Sequence, residues 1–424
     1  MEIFRNNDIL QKWKYKVDEF NLLIPGEDSI TIPNERFRGI EIRKLYEDLF
    51  LPIIKITVNL SPDHYYKILQ HKKECKFHIK INRYYLNVND DGEKSINYSY
   101  INDIFTLIMD DQTEDMLRSL KEVENKRNYT KKIKETENQL DAVDNIIEFY
   151  LYKTSISGLR KNVNNVIKNC NVTDAISYLL SEAGLSNVMM AQPDNKKIYE
   201  EFLLPPLSII KELEFIDYYY GLFKDGSIIF FDSEYSYIIP YNGTCSVNRK
   251  RENRNTNIII PKSTNMSFCN SLCNLKRQGD TDNSYIIADY KTINIENQSI
   301  SNNYIEGNNT KVVDSNDGTI KMEDSKAVAK DDNYTRVIQN RTENEWLASA
   351  LSVQSSSKSV VITARLQDFN ESDLTPNKRI NVIFEDANYT NKYNGTYLIS
   401  SAVNSFLPDG EDLAISSIIV LKKI

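Results

Sequence analysis

Turn punctuation in the last fifty residues constrains this chain more than any other feature. Thr375-Pro376-Asn377 leads into the apolar run Ile380-Asn381-Val382-Ile383-Phe384. Lys392-Tyr393-Asn394-Gly395-Thr396 leads into Tyr397-Leu398-Ile399-Ser400-Ser401, and Pro408-Asp409-Gly410 leads into Leu413-Ala414-Ile415-Ser416-Ser417-Ile418-Ile419-Val420-Leu421. Asn-Gly and Pro-Asp-Gly are hairpin signals, because glycine accepts the positive φ that such turns demand. Three strands joined by tight turns predict the closing meander of a small β-barrel, and no reactive-site pattern runs through it.

A chain of 424 residues has room for two or three domains, each with its own core. Hydrophobic residues make up 41% of it, and no window approaches the ~18 to 20 apolar residues that cross a bilayer. The first residues, Met1-Glu2-Ile3-Phe4-Arg5, have neither a basic nor an apolar leader region, so cytoplasmic synthesis is expected. Interspersed charges, 52 basic and 60 acidic, give a net −8 and argue against a nucleic-acid groove. Five scattered cysteines (Cys75, Cys170, Cys245, Cys269 and Cys273) read as reduced thiols.

Residues 38 to 102 carry a β pattern. Ile53-Ile54-Lys55-Ile56-Thr57-Val58-Asn59-Leu60 alternates, as do Phe77-His78-Ile79-Lys80-Ile81 and Tyr85-Leu86-Asn87-Val88. Between them Ser61 and Pro62 have the chemistry of a helix start, with Tyr65, Ile68 and Leu69 on one face. Strands are expected at 104–109 and 146–152, separated by a charged, helix-patterned insertion at 112–144. A helix is expected from Asn171 with Thr173 as its cap and Gly184 as its terminator. Pro205 and Pro206 are then expected to open a second helix whose stripe is Leu207, Ile210, Leu213 and Ile216 or Asp217, ending at Gly221 before the strand Ser227–Phe231. From 244 to 345 the chain turns polar, with short apolar runs at Ile258-Ile259-Ile260 and Tyr285-Ile286-Ile287. Trp346–Leu351 reads as a short helix.

Two of these segments, the Pro-Pro-Leu stretch leading through Tyr218-Tyr219-Tyr220-Gly221 into a strand and the closing meander, occur in this order. Together they resemble the central hub proteins of contractile phage-tail baseplates. The likeness covers Ile53–Tyr152, and more specifically Glu201–Asp232 and Asn302–Leu421. It implies a mainly β chain with helical segments (α+β), made of two tail-tube-like β-barrels joined by a helical connector. The boundaries that follow are an N-terminal arm at 1–37 and a first barrel at 38–165 carrying the insertion. A connector follows at 166–226, then a second barrel at 227–424 with long polar loops. The insertion at 112–144 departs from the compact barrel of that family.

Reactive motifs are absent. No Gly-x-Ser-x-Gly, Walker loop, His-Glu-x-x-His or dinucleotide fingerprint occurs. His64, His71, Cys75 and His78 are the one cluster of metal-ligating residue types, but no second pair completes a tetrahedral set. Cys269-x-x-x-Cys273 is half a site, and Arg249-Lys250-Arg251-Glu252-Asn253-Arg254 is a lone basic run of the sort usually solvated. The Tyr218–Tyr220 triplet suits a core plus a contact with a neighbouring domain or subunit. No catalytic, cofactor-binding or metal-binding residue is therefore assigned, and no cofactor is expected.

The resemblance implies a non-enzymatic homotrimer that adapts a hexameric tail tube to a trimeric central spike. Tail tube, spike and baseplate wedge proteins would be its partners, with the tape measure protein as a further candidate. It would reside in the virion tail after assembly in the host cytoplasm, with no membrane or sequence-specific nucleic-acid contact. The rival readings are a tail-associated cell-wall or polysaccharide hydrolase, which needs a carboxylate pair, and a receptor-binding module suited by the Asn- and Tyr-rich loops.

Overall fold

Burial with a period of two organises the chain, as in Ile53–Leu60, where every second residue is buried. The computed structural model describes residues 8–46, 51, 53–87, 98–108, 145–223, 226–231, 235–241, 255–262, 274–297, 310–314, 320–322, 334–338, 360–374 and 378–424. The insertion at 112–144, the basic run at 249–254, Cys245, Cys269, Cys273, the Thr375-Pro376-Asn377 turn and the stretch Trp346–Leu351 lie outside the described residues. The chain is mainly β with a few helices, as its sequence implies.

Twelve strands carry the architecture: β1 (Ile9–Leu23), β2 (Phe37–Leu45), β3 (Ile53–Leu60), β4 (Lys76–Asn87), β5 (Tyr98–Leu107), β6 (Asn145–Lys153), β7 (Asn255–Ile260), β8 (Asn283–Ile287), β9 (Val360–Gln367), β10 (Ile380–Phe384), β11 (Gly395–Asp409) and β12 (Asp412–Lys423). Their pairing closes on itself twice. One circuit is all antiparallel and runs β2-β3-β6-β5-β4-β1-β12-β11 and back to β2. The other runs β7-β10-β11-β12-β9 and returns to β8 and β7 through the bridge between Leu366 and Ala288.

The hairpin of β11 and β12 therefore belongs to both circuits. Tyr397 of β11 pairs with Ile380 of β10 in one circuit, and Ser401 to Phe406 pair with β2 in the other. The register shifts between Ile399 and Ser401, and the Ser400 carbonyl accepts the Tyr46 N–H at 2.9 Å. A bulge at this point bends the strand from one circuit into the next, a standard use of an extra residue. At the tip a two-residue turn, Gly410-Glu411, joins the strands. Gly410 has φ +66°, the sign that the first central position of a type II′ turn requires.

Several expectations need correction. Residues 9–23 are no free arm, because β1 pairs with β4 from Gln11 to Leu23. Its buried residues switch from odd to even positions across a bulge between Val17 and Glu19, which hides the alternation. The pairing also crosses the expected division at 227, since β11 and β12 close both circuits. Asn394-Gly395 does not make a hairpin turn: β10 and β11 are joined by a helix at Ala387–Tyr393, capped by Asp386, whose side chain accepts the Asn388 N–H at 2.9 Å.

Helix α1 (Pro62–His71) forms as its sequence demands, with Ser61 before it, Pro62 in its first turn, and Tyr65 and Ile68 buried. Helix α2 (Val172–Glu182) is capped by Asn171 rather than Thr173, through a 2.9 Å bond from the Asp174 N–H. Helix α3 (Ile209–Tyr219) starts after the two prolines, which lie in the strand Tyr199–Ser208. A residue preceding proline is held extended, so Leu204 and Pro205 both prolong the strand. Its ladder with Asn162–Cys170 slips between Leu204 and Leu207, where the missing proline N–H groups fall. The helix Ala387–Tyr393 is α4. The segment read as a helical connector thus contains a two-stranded ribbon as well as α2 and α3, packed around one apolar cluster that includes Leu179, Phe202, Leu213 and Phe231.

Gly158 packs closely against the end of α2. A Cβ there would sit 1.9 Å from the Ala183 carbonyl oxygen at the end of α2. Gly158→Ala is expected to destabilise the protein by about 1–3 kcal/mol, read as a lower melting temperature. An unchanged melting temperature would mean the turn and α2 separate freely.

Candidate interface surfaces and the junction beneath them

β1 and β12 meet at a single pair, Tyr15 with Leu413, and the segment Asp368–Leu374 fills the seam. The Trp13 N–H donates to the Asp368 carbonyl at 2.8 Å, and the Asp368 N–H donates to Ile415 at 3.0 Å. The fully buried Tyr15 hydroxyl donates to the Phe369 carbonyl and accepts the Glu371 N–H, both at 3.1 Å. Burial pushes the Tyr15 phenol well above its ordinary range.

Polar side chains from both circuits converge on the same segment. Lys44 of β2 pairs with the buried carboxylate of Glu371, which also accepts from the Asn404 amide of β11 at 3.3 Å. Asn404 in turn accepts from the Ser417 hydroxyl of β12 at 2.7 Å. Arg83 of β4 donates to Asn370 at 2.8 Å and to Ser372. From the second circuit, Ser284 donates to the Asp373 carboxylate at 2.6 Å and Thr256 to its carbonyl at 2.8 Å. A buried polar network fixes a geometry only when its members are satisfied, and these bonds tie the circuits together.

The sequence cluster of metal-ligating types does not converge. The Cys75 thiol points into the core, where burial pushes it up to about 12. His78 lies on the opposite pleat, 3.0 Å from the Asn102 side chain and 3.4 Å from Glu19. His71 faces Glu27 at 4.0 Å. Among the described residues no three His, Cys, Asp or Glu side chains are placed to share a metal ion. The buried carboxylates Glu371 and Asp373 are held by hydrogen bonds inside the junction rather than facing a cleft.

Outside, apolar side chains stand on the ribbon. Val166 and Leu203 are a cross-strand pair, and both are exposed, as are Leu207 and Ile198. In the tyrosine triplet, Tyr220 is core: it stacks on Phe202 at 3.9 Å and its hydroxyl accepts the Leu203 N–H. Tyr218 is exposed on the same unit. Among the described residues no helix is long and apolar enough to cross a membrane.

This combination of closed strand circuits, an internal polar junction and exposed apolar strand faces frames the comparison with known proteins. The sequence matches the bacteriophage PBS1 gene 109 protein over residues 7–424. The chain belongs to that family. No curated protein matches this family member. Among solved structures it is similar to a tail protein from Neisseria meningitidis MC58, with 10% identity, coverage of 97% of both chains and a TM-score of 0.46. It is also similar to the 43 kDa tail protein of prophage MuSo2 from Shewanella oneidensis, with 10% identity, coverage of 95% and 98%, and a TM-score of 0.43. A third similar structure is the E. coli c3393 protein, described as a component of the type VI secretion system that resembles the T4 bacteriophage tail proteins gp27 and gp5. It shares 8% identity over 95% of this chain and 76% of that one, at a TM-score of 0.42.

Proposed function

We propose that this gene 109 family chain is a structural hub of a contractile tail baseplate. In this reading the two pairing circuits are the two tube-like barrels, and the unit around α2 and α3 connects them. Three copies would present six barrels to a hexameric tail tube on one side and three equivalent surfaces to a trimeric spike on the other. The observation that carries the reading is the hairpin shared by both circuits, braced by the Asp368–Leu374 junction. A symmetry adaptor needs its two barrels held at a fixed relation, and these features supply one. The reading involves no catalytic step. Wedge proteins and the tape measure protein are the further partners it invites, in a virion assembled in the host cytoplasm.

Light scattering at several concentrations tests it, alone and with the candidate spike protein. The expected mass is three times the 49.2 kDa chain, and electron microscopy of that trimer mixed with tube protein should show rings capping tube ends. A monomer under every condition would overturn the adaptor. Clearing of a cell-wall suspension would transfer the assignment to the hydrolase.

A further inference from the structure

The carboxyl ends of β7, β8 and β10, a run of parallel neighbours, open at one mouth of the second circuit. A cavity of about 550 Å³ lies there, within the usual size range of ligand pockets, and barrel mouths are a common place for them. One wall is Phe384, Tyr389 and Tyr393, whose ring centroids lie 5.8 to 6.0 Å apart. The other is Tyr290, Ile293 and Ile295. The walls are built in advance: the Phe384 N–H donates to the Asn394 side chain at 2.7 Å, the Tyr397 hydroxyl to the Tyr393 carbonyl at 2.6 Å, and the Thr390 hydroxyl to the Phe384 carbonyl at 3.2 Å.

Two charges stand at the lining, Lys291 on one wall and Asp386 on the other. They are not equivalent. The Asp386 carboxylate is engaged in capping α4, whereas the Lys291 ammonium has no partner among the described residues. Lys392 adds a second cation, 5.1 Å from the Tyr393 ring centre. Lys291 is therefore the lining charge left to meet an occupant's carboxylate, beside an aromatic cup. The rings are tilted by 35 to 47° to one another, which makes a concave seat rather than the flat platform on which a sugar ring stacks. Beside it, strand Asn294–Asn297 pairs on one side only among the described residues, leaving backbone groups for an extended chain.

We propose that this cup is a docking site for a partner polypeptide, seating an aromatic or large aliphatic side chain that is flanked by an acidic residue. The apolar side chain fills the cup, and the flanking carboxylate meets Lys291. The inference stands apart from the hub assignment, because it concerns a pocket of one chain and needs no trimer.

Saturation-transfer difference NMR on the full chain tests it with two capped pentapeptides, Ala-Asp-Phe-Asp-Ala and Ala-Lys-Phe-Lys-Ala, and with an N-acetylglucosamine trimer. The acidic peptide should bind saturably, with transfer strongest to its phenylalanine ring. Tyr389→Ala, at a position 39% exposed on α4, should weaken it about tenfold, the scale of one aromatic contact. Lys291→Glu should invert the preference between the two peptides, a result that loss of folding cannot imitate. Equal binding of both peptides, an unchanged preference in Lys291→Glu, displacement of the peptide by the saccharide, or no saturable binding at millimolar concentration would each overturn the assignment.

Discussion

Glu371→Ala should be among the most damaging substitutions in this protein, lowering stability by roughly 3–5 kcal/mol, the cost of removing one member of a buried ion pair. The loss of the carboxylate takes an ion-pair partner from the Lys44 ammonium, whose side chain is largely buried, and leaves the Asn404 amide short of an acceptor. It also strikes the segment that seals β1 against β12, where the strands themselves share one pair. The damage should therefore reach both circuits, and thermal unfolding should show the whole cooperative transition shifted down. The partner change Lys44→Met should cost a similar amount. The double variant Lys44→Met with Glu371→Leu should recover most of the loss, because two apolar groups of similar size replace a pair whose desolvation is expensive. A double-mutant cycle of Lys44→Met, Glu371→Leu and the double variant measures this directly. Additive losses in the double variant would mean that the two side chains do not act as a pair.

Much of the strand content was legible because it follows from alternation. Ile53–Leu60 and Ser227–Phe231 run between the residues read from the sequence, and α1 begins where Ser61 and Pro62 place it. What escaped has identifiable physical causes. Trp13, Tyr15 and Val17 alternate plainly, but a bulge moves Phe20 and Leu22 to the other parity, and a single period no longer fits. The shared hairpin was visible as two strands with a Pro-Asp-Gly turn, yet its double membership depends on partners far away in sequence, which local patterns do not encode. The junction was invisible for the same reason: Glu371 and Asp373 follow no local pattern, and their partners Lys44, Ser284 and Thr256 lie more than eighty residues away in sequence. The aromatic cup was half legible. The Tyr389 and Tyr393 spacing is helical, but Asn394-Gly395 was read as a turn, so α4 and its capping Asp386 were not anticipated.

The α3 stripe holds the other large effect, again at a carboxylate. The expected apolar positions Leu207 and Ile210 are not buried, while Glu212 is 0% exposed, with Ile209, Leu213 and Ile216 beside it. No hydrogen bond of good geometry among the described residues reaches either Glu212 oxygen. Burial raises its carboxyl from an ordinary 4.5 to about 7, opposed only by the Leu207 N–H. The sign of the pH effect follows from proton binding. Between about 4.5 and 7 the unfolded chain has released this proton and the folded chain still holds it, so stability falls as pH rises through that window. Above it the penalty is complete, on the order of 3 kcal/mol. Glu212→Leu should therefore raise the melting temperature strongly at pH 8 and much less at pH 4. Glu212→Gln should remove the pH dependence while keeping the cost of an unpaired buried amide, about 1–3 kcal/mol. Calorimetry of the three proteins across that range separates the terms. If Glu212→Leu gained the same amount at both pH values, the carboxyl would have to titrate in the folded chain as it does in the unfolded one, and burial would not penalise its charge. Because α3 packs on the ribbon that carries Val166 and Leu203, a chain relieved of this charge would also present those exposed residues from a firmer support. The same substitution thus connects the energetics of the buried stripe to the ribbon on which Val166 and Leu203 are exposed.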